Sequence, residues 1–214
     1  MSRALLISAL WLCPILGAPY AHAAEPAKPD LVRGQTIASQ VCAACHGADG
    51  NSPSPANPSL AGQIPEYTQK QLQDFKAAAP GKKAERENAV MAGMAAGLSP
   101  EDIRNVAAYY GSQKTKGGAS RSKELVFLGQ KLYRAGNAAT GLPACAGCHG
   151  PTGAGLPAQY PRLAGQFAEY TIGQLKSFHD GQRVNDTNRM MRAIAAKMSE
   201  AEMRAVSDYI AGLR

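Results

Sequence analysis

Cys42-Ala43-Ala44-Cys45-His46 returns 103 residues later as Cys145-Ala146-Gly147-Cys148-His149. Two thiols three residues apart, with an imidazole directly behind them, form the pattern of c-type haem attachment. The spacing lets the thiols reach the two vinyl groups on one porphyrin edge while the imidazole swings beneath the iron. A structural zinc site would hold its Cys pairs much closer in sequence. A thioredoxin-like pair would need neither a His at the same place in both copies nor a second copy. The doubled motif therefore predicts two covalently attached haem c groups, each carrying iron.

Outward from the motifs the chain is a duplication. With the same shift, Gly47 falls on Gly150, Gly50 on Gly153 and Pro58 on Pro161, and Leu60-Ala61-Gly62-Gln63 falls on Leu163-Ala164-Gly165-Gln166. Glu66, Tyr67, Thr68, Gln71, Leu72 and Phe75 then meet Glu169, Tyr170, Thr171, Gln174, Leu175 and Phe178. Further on the shift becomes 100, pairing Ser99 with Ser199 and Tyr109 with Tyr209. Upstream, Gly34-Gln35 pairs with Gly129-Gln130, which leaves eight extra residues in the second copy around Gly136 to Pro143.

The pattern predicts an all-α fold. Asp30 and Ser122 are placed to cap the helices that lead to each motif, and Tyr67 to Phe75 follows helical spacing. Ser99-Pro100-Glu101-Asp102 and Ser199-Glu200-Ala201-Glu202 resemble capping boxes that open each terminal helix. Gly111 to Ser122 is polar and holds Gly111, Gly117 and Gly118, as a linker does. The expected division is a signal peptide over 1–23, domains over 24–113 and 123–214, and a linker over 114–122.

The second axial ligand follows from comparing the copies. Met94, Met190, Met198 and Met203 face Ile194, Val90, Leu98 and Ile103, exchanges that suit core packing. Met91 and Met191 coincide, and they are the expected ligands opposite His46 and His149. His179 faces Lys76 and reads as a surface residue. Pro58 and Pro161 each lie 12 residues after the ligand His. Their carbonyls are placed to accept the other ring proton and orient the imidazole; equally, they are simple turn prolines.

The N-terminus reads as an export signal. Arg3 precedes an apolar run from Ala4 to Gly17, and Ala21-His22-Ala23 is a small-x-small cleavage pattern. The run falls short of the ~20 residues that span a bilayer. Cys13 leaves with it, so every remaining cysteine belongs to a haem motif. The formal charge is +7, without the dense basic stripe of a nucleic-acid binder. It suits acidic redox partners or anionic headgroups instead. The first copy is slightly acidic and the second basic, with Arg162 beside Pro161 and Arg192 beside Met191 where Ser59 and Ala92 stand in the first. A higher reduction potential at the C-terminal haem is the expectation.

The paired haem motifs, the Pro-x-Leu-Ala-Gly-Gln stretches, the Tyr-to-Phe helices, the matched Met pair and the polar linker closely resemble the dihaem cytochrome c4 family. The likeness covers essentially the whole chain after the signal. It implies two class I cytochrome c folds related by approximate two-fold symmetry, with haem propionate edges facing across the interface. The haem-binding residues it implies are Cys42, Cys45, His46, Met91, Cys145, Cys148, His149 and Met191. It further implies a periplasmic carrier feeding electrons toward terminal oxidases, loosely membrane-associated. His/Met ligation closes both axial positions, so the expected task is outer-sphere transfer of one electron per haem, without a small-molecule substrate. Two rivals share the motifs: a permanent cytochrome subunit of a dehydrogenase, such as a sulfide-oxidising flavocytochrome, and a dihaem peroxidase, which needs one open iron.

Overall fold

The structure, a computed structural model, describes residues 28–77 and 81–214. The expected signal peptide over 1–23 lies outside the described residues. The described chain is helical, with isolated bridges only between Asn137 and Leu142 and between Leu156 and Tyr160.

The first half holds α1 (Leu31–Ile37), a π-helical turn (Ala38–Cys42), α2 (Ala43–His46), α3 (Pro65–Asp74), α4 (Ala89–Ala96) and α5 (Pro100–Ser112). The second holds α6 (Lys123–Ala135), α7 (Ala146–His149), α8 (Ala168–His179), a 3₁₀ turn (Thr187–Arg189), α9 (Met190–Ala195) and α10 (Glu200–Gly212). The expected caps form. Asp30 accepts from the Val32 and Arg33 N–H groups, and Ser122 accepts from that of Leu125. Both capping boxes close, Ser99 with Asp102 and Ser199 with Glu202. Each satisfies N–H groups that a helix start leaves free.

In each half the first helix crosses the last, α1 on α5 and α6 on α10. The paired glycines explain the crossing. A Cβ on Gly34 would stand 2.2 Å from the Asn105 carbonyl oxygen, and one on Gly129 would stand 2.1 Å from that of Ala205. Only hydrogen lets the backbones approach so closely. Around these crossings lie two apolar cores. One holds Ile37, Leu98, Ile103, Val106 and Tyr110; the other holds Leu132, Tyr133, Leu175, Met198, Met203, Val206 and Ile210.

Two sequence readings change. Met198 and Met203 are core residues, but Met94 is 41% exposed and Met190 sits half-buried with its sulfur 4.0 Å from the Tyr160 hydroxyl. An unbranched Met on a short surface helix tolerates solvent, so the exchange with an aliphatic residue did not mean burial. Gly111 and Ser112 belong to α5, because helical backbone is needed where Gly111 passes against Pro65. The segment after α5 is tied at both ends. Asn51 donates to the Lys114 carbonyl at 3.0 Å and accepts from the Lys116 N–H at 2.8 Å. Asp208 accepts from Ser120 and from the Arg121 and Ser122 N–H groups.

The halves meet along α3 and α8 through a polar network with near two-fold symmetry. Arg86 and Arg183 stack on Phe75 and Phe178 of their own halves, 4.7 and 4.5 Å from the ring centres. From there Arg86 donates across to the Tyr170 hydroxyl at 3.1 Å and Gln174 at 2.8 Å. Arg183 reaches the opposite way, to the Tyr67 hydroxyl at 3.0 Å and Gln71 at 2.9 Å. Burial pushes the Tyr67 phenol up, yet Arg183, Arg86 and Lys70 together hold it below its ordinary value. One feature is unpaired by symmetry: Asp74, buried, accepts from Lys70 and from Asn185 of the other half, each at 2.5 Å.

Candidate haem sites

Each motif sits where its helix ends. α2 and α7 are single turns closed by Gly47 and Gly150, both at positive φ, and each turn leaves its His buried at 7% exposure. The imidazoles are oriented identically. His46 Nδ1 lies 2.8 Å from the Pro58 carbonyl oxygen, and His149 Nδ1 lies 2.9 Å from that of Pro161. A carbonyl only accepts, so Nδ1 carries the proton and Nε2 keeps its lone pair free for a metal. Burial pushes both imidazoles below their ordinary pKa, against the opposing pull of the proline carbonyls, which keeps them neutral and ready to bind. Of the two sequence readings of Pro58 and Pro161, the orienting carbonyl is the geometry found.

The four cysteines of the haem motifs are unpaired. Burial pushes the Cys42 thiol up, and that of Cys145 up to about 11. Thiols in apolar surroundings keep their protons, so Cys42 and Cys145 are held as neutral thiols on the core side of each motif. Among the described residues no cluster of His, Cys, Asp and Glu is built to hold a bare metal ion.

Met191 lies in the first turn of α9 and packs against the second core together with Cys145, Ala146 and Leu163. In the first half Cys42 and Leu60 pack against the core. Met91 lies in α4, half-buried, where the Asn88 side chain accepts its N–H at 2.9 Å. His179 is exposed and bonds Asp180, as the sequence suggested.

A further test of fit lies in the seam between the halves. Arg162 Nε is buried without a partner and faces a small hollow lined by Ser59, Gln63, Thr115 and Gln166. An orphaned guanidinium N–H there is a donor awaiting an anion, and haem supplies carboxylates. The His residues, the free thiols and the thioethers fit haem in each half, and the Arg162 donor, which has Ser59 as its counterpart, adds an anion partner at the seam.

The sequence missed the residues that build the seam. Gln63 donates to the Arg162 carbonyl at 3.0 Å and accepts from the Arg162 N–H at 2.9 Å. Gln166 makes the mirror pair with Ser59, at 2.9 and 3.0 Å. The signal was present, since both glutamines close the repeated Leu-Ala-Gly-Gln and a polar residue held in an apolar turn asks for a partner. Arg86 and Arg183 carried no such signal. Their N–H groups bond the equivalent carbonyls of Asp74 and Ser177, but the loops between differ in length and no constant shift aligns them.

Two helical domains, each presenting Cys-x-x-Cys-His with its imidazole braced by a proline carbonyl, define a tandem c-type cytochrome. The Cytochrome c family pattern matches residues 31–114 and again 127–214. The chain is 48% identical over 198 residues to cytochrome c4 of Azotobacter vinelandii, covering 90% of this chain and 91% of that one. It is 38% identical to the thiosulfate dehydrogenase electron acceptor of Stutzerimonas stutzeri, covering 90% and 88%. The crystal structure of reduced recombinant cytochrome c4 from Pseudomonas stutzeri superposes with a TM-score of 0.81 at 44% identity, covering 87% of this chain and all of that one. The chain belongs to the cytochrome c4 family. It is a dihaem electron carrier with two covalent haem c groups, and an electron-transfer protein rather than an enzyme.

Proposed function

We propose that the protein is exported by cleavage near Ala23 and works in the periplasm as a one-electron carrier of a respiratory chain. In this reading Cys42 and Cys45 bind one haem and Cys145 and Cys148 the other, with His46/Met91 and His149/Met191 as axial pairs. The observation that carries it is the matched Nδ1 contact to Pro58 and Pro161, which leaves Nε2 of each imidazole free in both halves. The haem supplies the one-electron couple. The chain orients each imidazole, keeps it neutral, buries it from water and fixes the two halves against each other. A haem held by these residues would have no position left for substrate and a raised potential. The domains run over 24–113 and 123–214 with 114–122 between them. Charge suits an acidic docking face on a terminal oxidase, and loose attachment to anionic headgroups.

The resemblance to a thiosulfate dehydrogenase electron acceptor supports a second reading, in which a periplasmic dehydrogenase is the donor. Co-purification with such an enzyme separates the two. For the ligands, the ferric protein is expected to show the weak long-wavelength sulfur-to-iron band. Met91→Ala and Met191→Ala each remove about half of it, while Met94→Leu and Met190→Leu leave it whole. Rapid carbon monoxide binding to the unsubstituted ferrous protein would overturn the closed-site reading.

A further inference from the structure

The peptide group joining Pro58 to Ser59 is engaged at both ends. Its carbonyl accepts from His46 Nδ1 at 2.8 Å, and its N–H donates to Gln166 Oε1, in the other half, at 3.0 Å. The group joining Pro161 to Arg162 repeats this, with His149 at 2.9 Å on the carbonyl and Gln63 Oε1 at 2.9 Å on the N–H. The orientation of both carboxamides is fixed. Gln166 donates its Nε2 to the Ser59 carbonyl at 2.9 Å, and its Oε1 also accepts the Phe167 N–H at 3.1 Å. Gln63 does the same with the Arg162 carbonyl at 3.0 Å and the Ile64 N–H at 2.9 Å. Turned over, either amide would set its own donors against two N–H groups.

A peptide is one resonance-polarised unit. Withdrawing its N–H proton toward an acceptor moves electron density onto its carbonyl oxygen, and hydrogen bonds in such a chain strengthen one another. A stronger acceptor at the carbonyl draws the Nδ1 proton further and makes Nε2 the better donor to iron. Better donation favours the ferric state. We infer that Gln63 and Gln166 are positioning residues that tune the opposite domain: Gln166 lowers the reduction potential of the haem on His46, and Gln63 that of the haem on His149. Each domain sets the other's potential through a single peptide group, and the coupling is lost if the halves separate. The inference rests on His46 and His149 being iron ligands.

The test is a redox titration of the intact dihaem protein, with each haem followed separately by its NMR signals. Gln166→Leu is expected to raise the potential of the haem on His46 and leave that on His149, in the substituted half, unchanged. It also moves the His46 Nδ1 proton resonance upfield in the reduced protein as that bond weakens. Gln63→Leu gives the mirror result. Gln166→Met fills the same space with only a weak sulfur acceptor in place of the carbonyl, so most of the shift persists. Its return to the unsubstituted value in the Met variant would show packing and overturn the inference. A shift at the haem of the substituted half, at both haems equally, or at neither, with the sulfur-to-iron band intact, overturns it too. Absence of that band in the unsubstituted protein fails the ligand assignment instead.

Discussion

The two halves reach one site by different routes. In the first, α1 runs through the π-helical turn straight into α2, so His46 is reached by nearly unbroken helix. In the second, α6 stops at Gly136, and a small hairpin bridged between Asn137 and Leu142 precedes α7. The hairpin is clamped by Lys197 on the Gly141 carbonyl at 2.8 Å and by Asn137 on Glu202 at 2.8 Å. It thereby ties the haem-motif side of the domain to the turn that follows α9, which carries Met191. In the first half the corresponding tie is Lys76, just after α3, which donates to the Leu98 carbonyl in the turn that follows α4 at 2.6 Å. Val90 and Met94 on either side of Met91 are exposed, and among the described residues Ala95 is the one α4 side chain fully in the core. What stays constant between copies is what the His and the seam touch; what drifts is how each copy braces its methionine.

That contrast predicts the largest effect. Each half has a small apolar core flanked by the cysteines and histidine arranged for the cofactor, so each half is expected to depend on its haem. Cys45→Ala and Cys148→Ala each compromise covalent attachment in one half and are expected to leave it disordered, seen as lost amide dispersion there. The first half, whose buried cluster among the described residues is the smaller, should lose more. A well-dispersed haem-free half, or a second half that unfolds more readily than the first, would break the comparison.

A smaller effect separates the two routes directly. The carbonyl after each ligand His is capped by a tyrosine from a different helix: Tyr110 of α5 on Gly47 at 3.4 Å, and Tyr133 of α6 on Gly150 at 2.6 Å. The exchange is complementary, with Ala38 where Tyr133 stands and Ile210 where Tyr110 stands. Burial pushes both phenols far up, so they remain donors at any ordinary pH. Tyr133→Phe should cost about 1 kcal/mol, the penalty of stripping a part-buried carbonyl of its partner, and Tyr110→Phe, with the longer bond, less. Thermal denaturation of the two holoproteins measures this, and a larger loss from Tyr110→Phe would reverse the assignment.

Much of this was legible in the chain. The haem motifs, the caps and the helical duplication are local patterns at fixed spacing, and local chemistry dictates them; the proline carbonyls were one of two equal readings, which the fold decides. The seam was legible only in part. Gln63 and Gln166 repeat in register, but their partners lie about 100 residues away, on the residue after a proline, and no helical or turn rule points there. Arg86 and Arg183 sit in loops whose lengths differ, so the repeat hides them. The complementary tyrosines escaped because a residue-by-residue comparison scores Tyr110 against Ile210 as plain divergence, when the phenol has moved to the other helix of the crossing.

The same limit governs the potentials. Sequence placed Arg162 and Arg192 beside the second haem's ligands and nothing charged at Ser59 and Ala92, which favours a higher potential at the C-terminal haem. A bare unit charge roughly 10 Å away, at an effective dielectric near 20, is worth about 1.7 kcal/mol, or some 70 mV. The structure reduces that. Arg192 Nε bonds Asp186 Oδ1 at 2.7 Å, the other Asp186 oxygen accepts the Arg192 N–H at 3.0 Å, and the carboxylate is nearly buried. The pair is close to neutral from a distance. Arg162 lies in the seam, lined by residues of both halves, so its charge acts on both haems and separates them little. We therefore expect the C-terminal haem to be higher by only a fraction of the bare-charge value. Asp186→Asn, which keeps an acceptor for the Arg192 N–H, unmasks the cation and raises that haem further. Arg192→Ala leaves the carboxylate and lowers it, and the double variant returns it toward the starting value. Each shift is largest at low ionic strength, where a redox titration should be run. Single variants that move the potential in the same direction would show that the pair acts by packing rather than by charge.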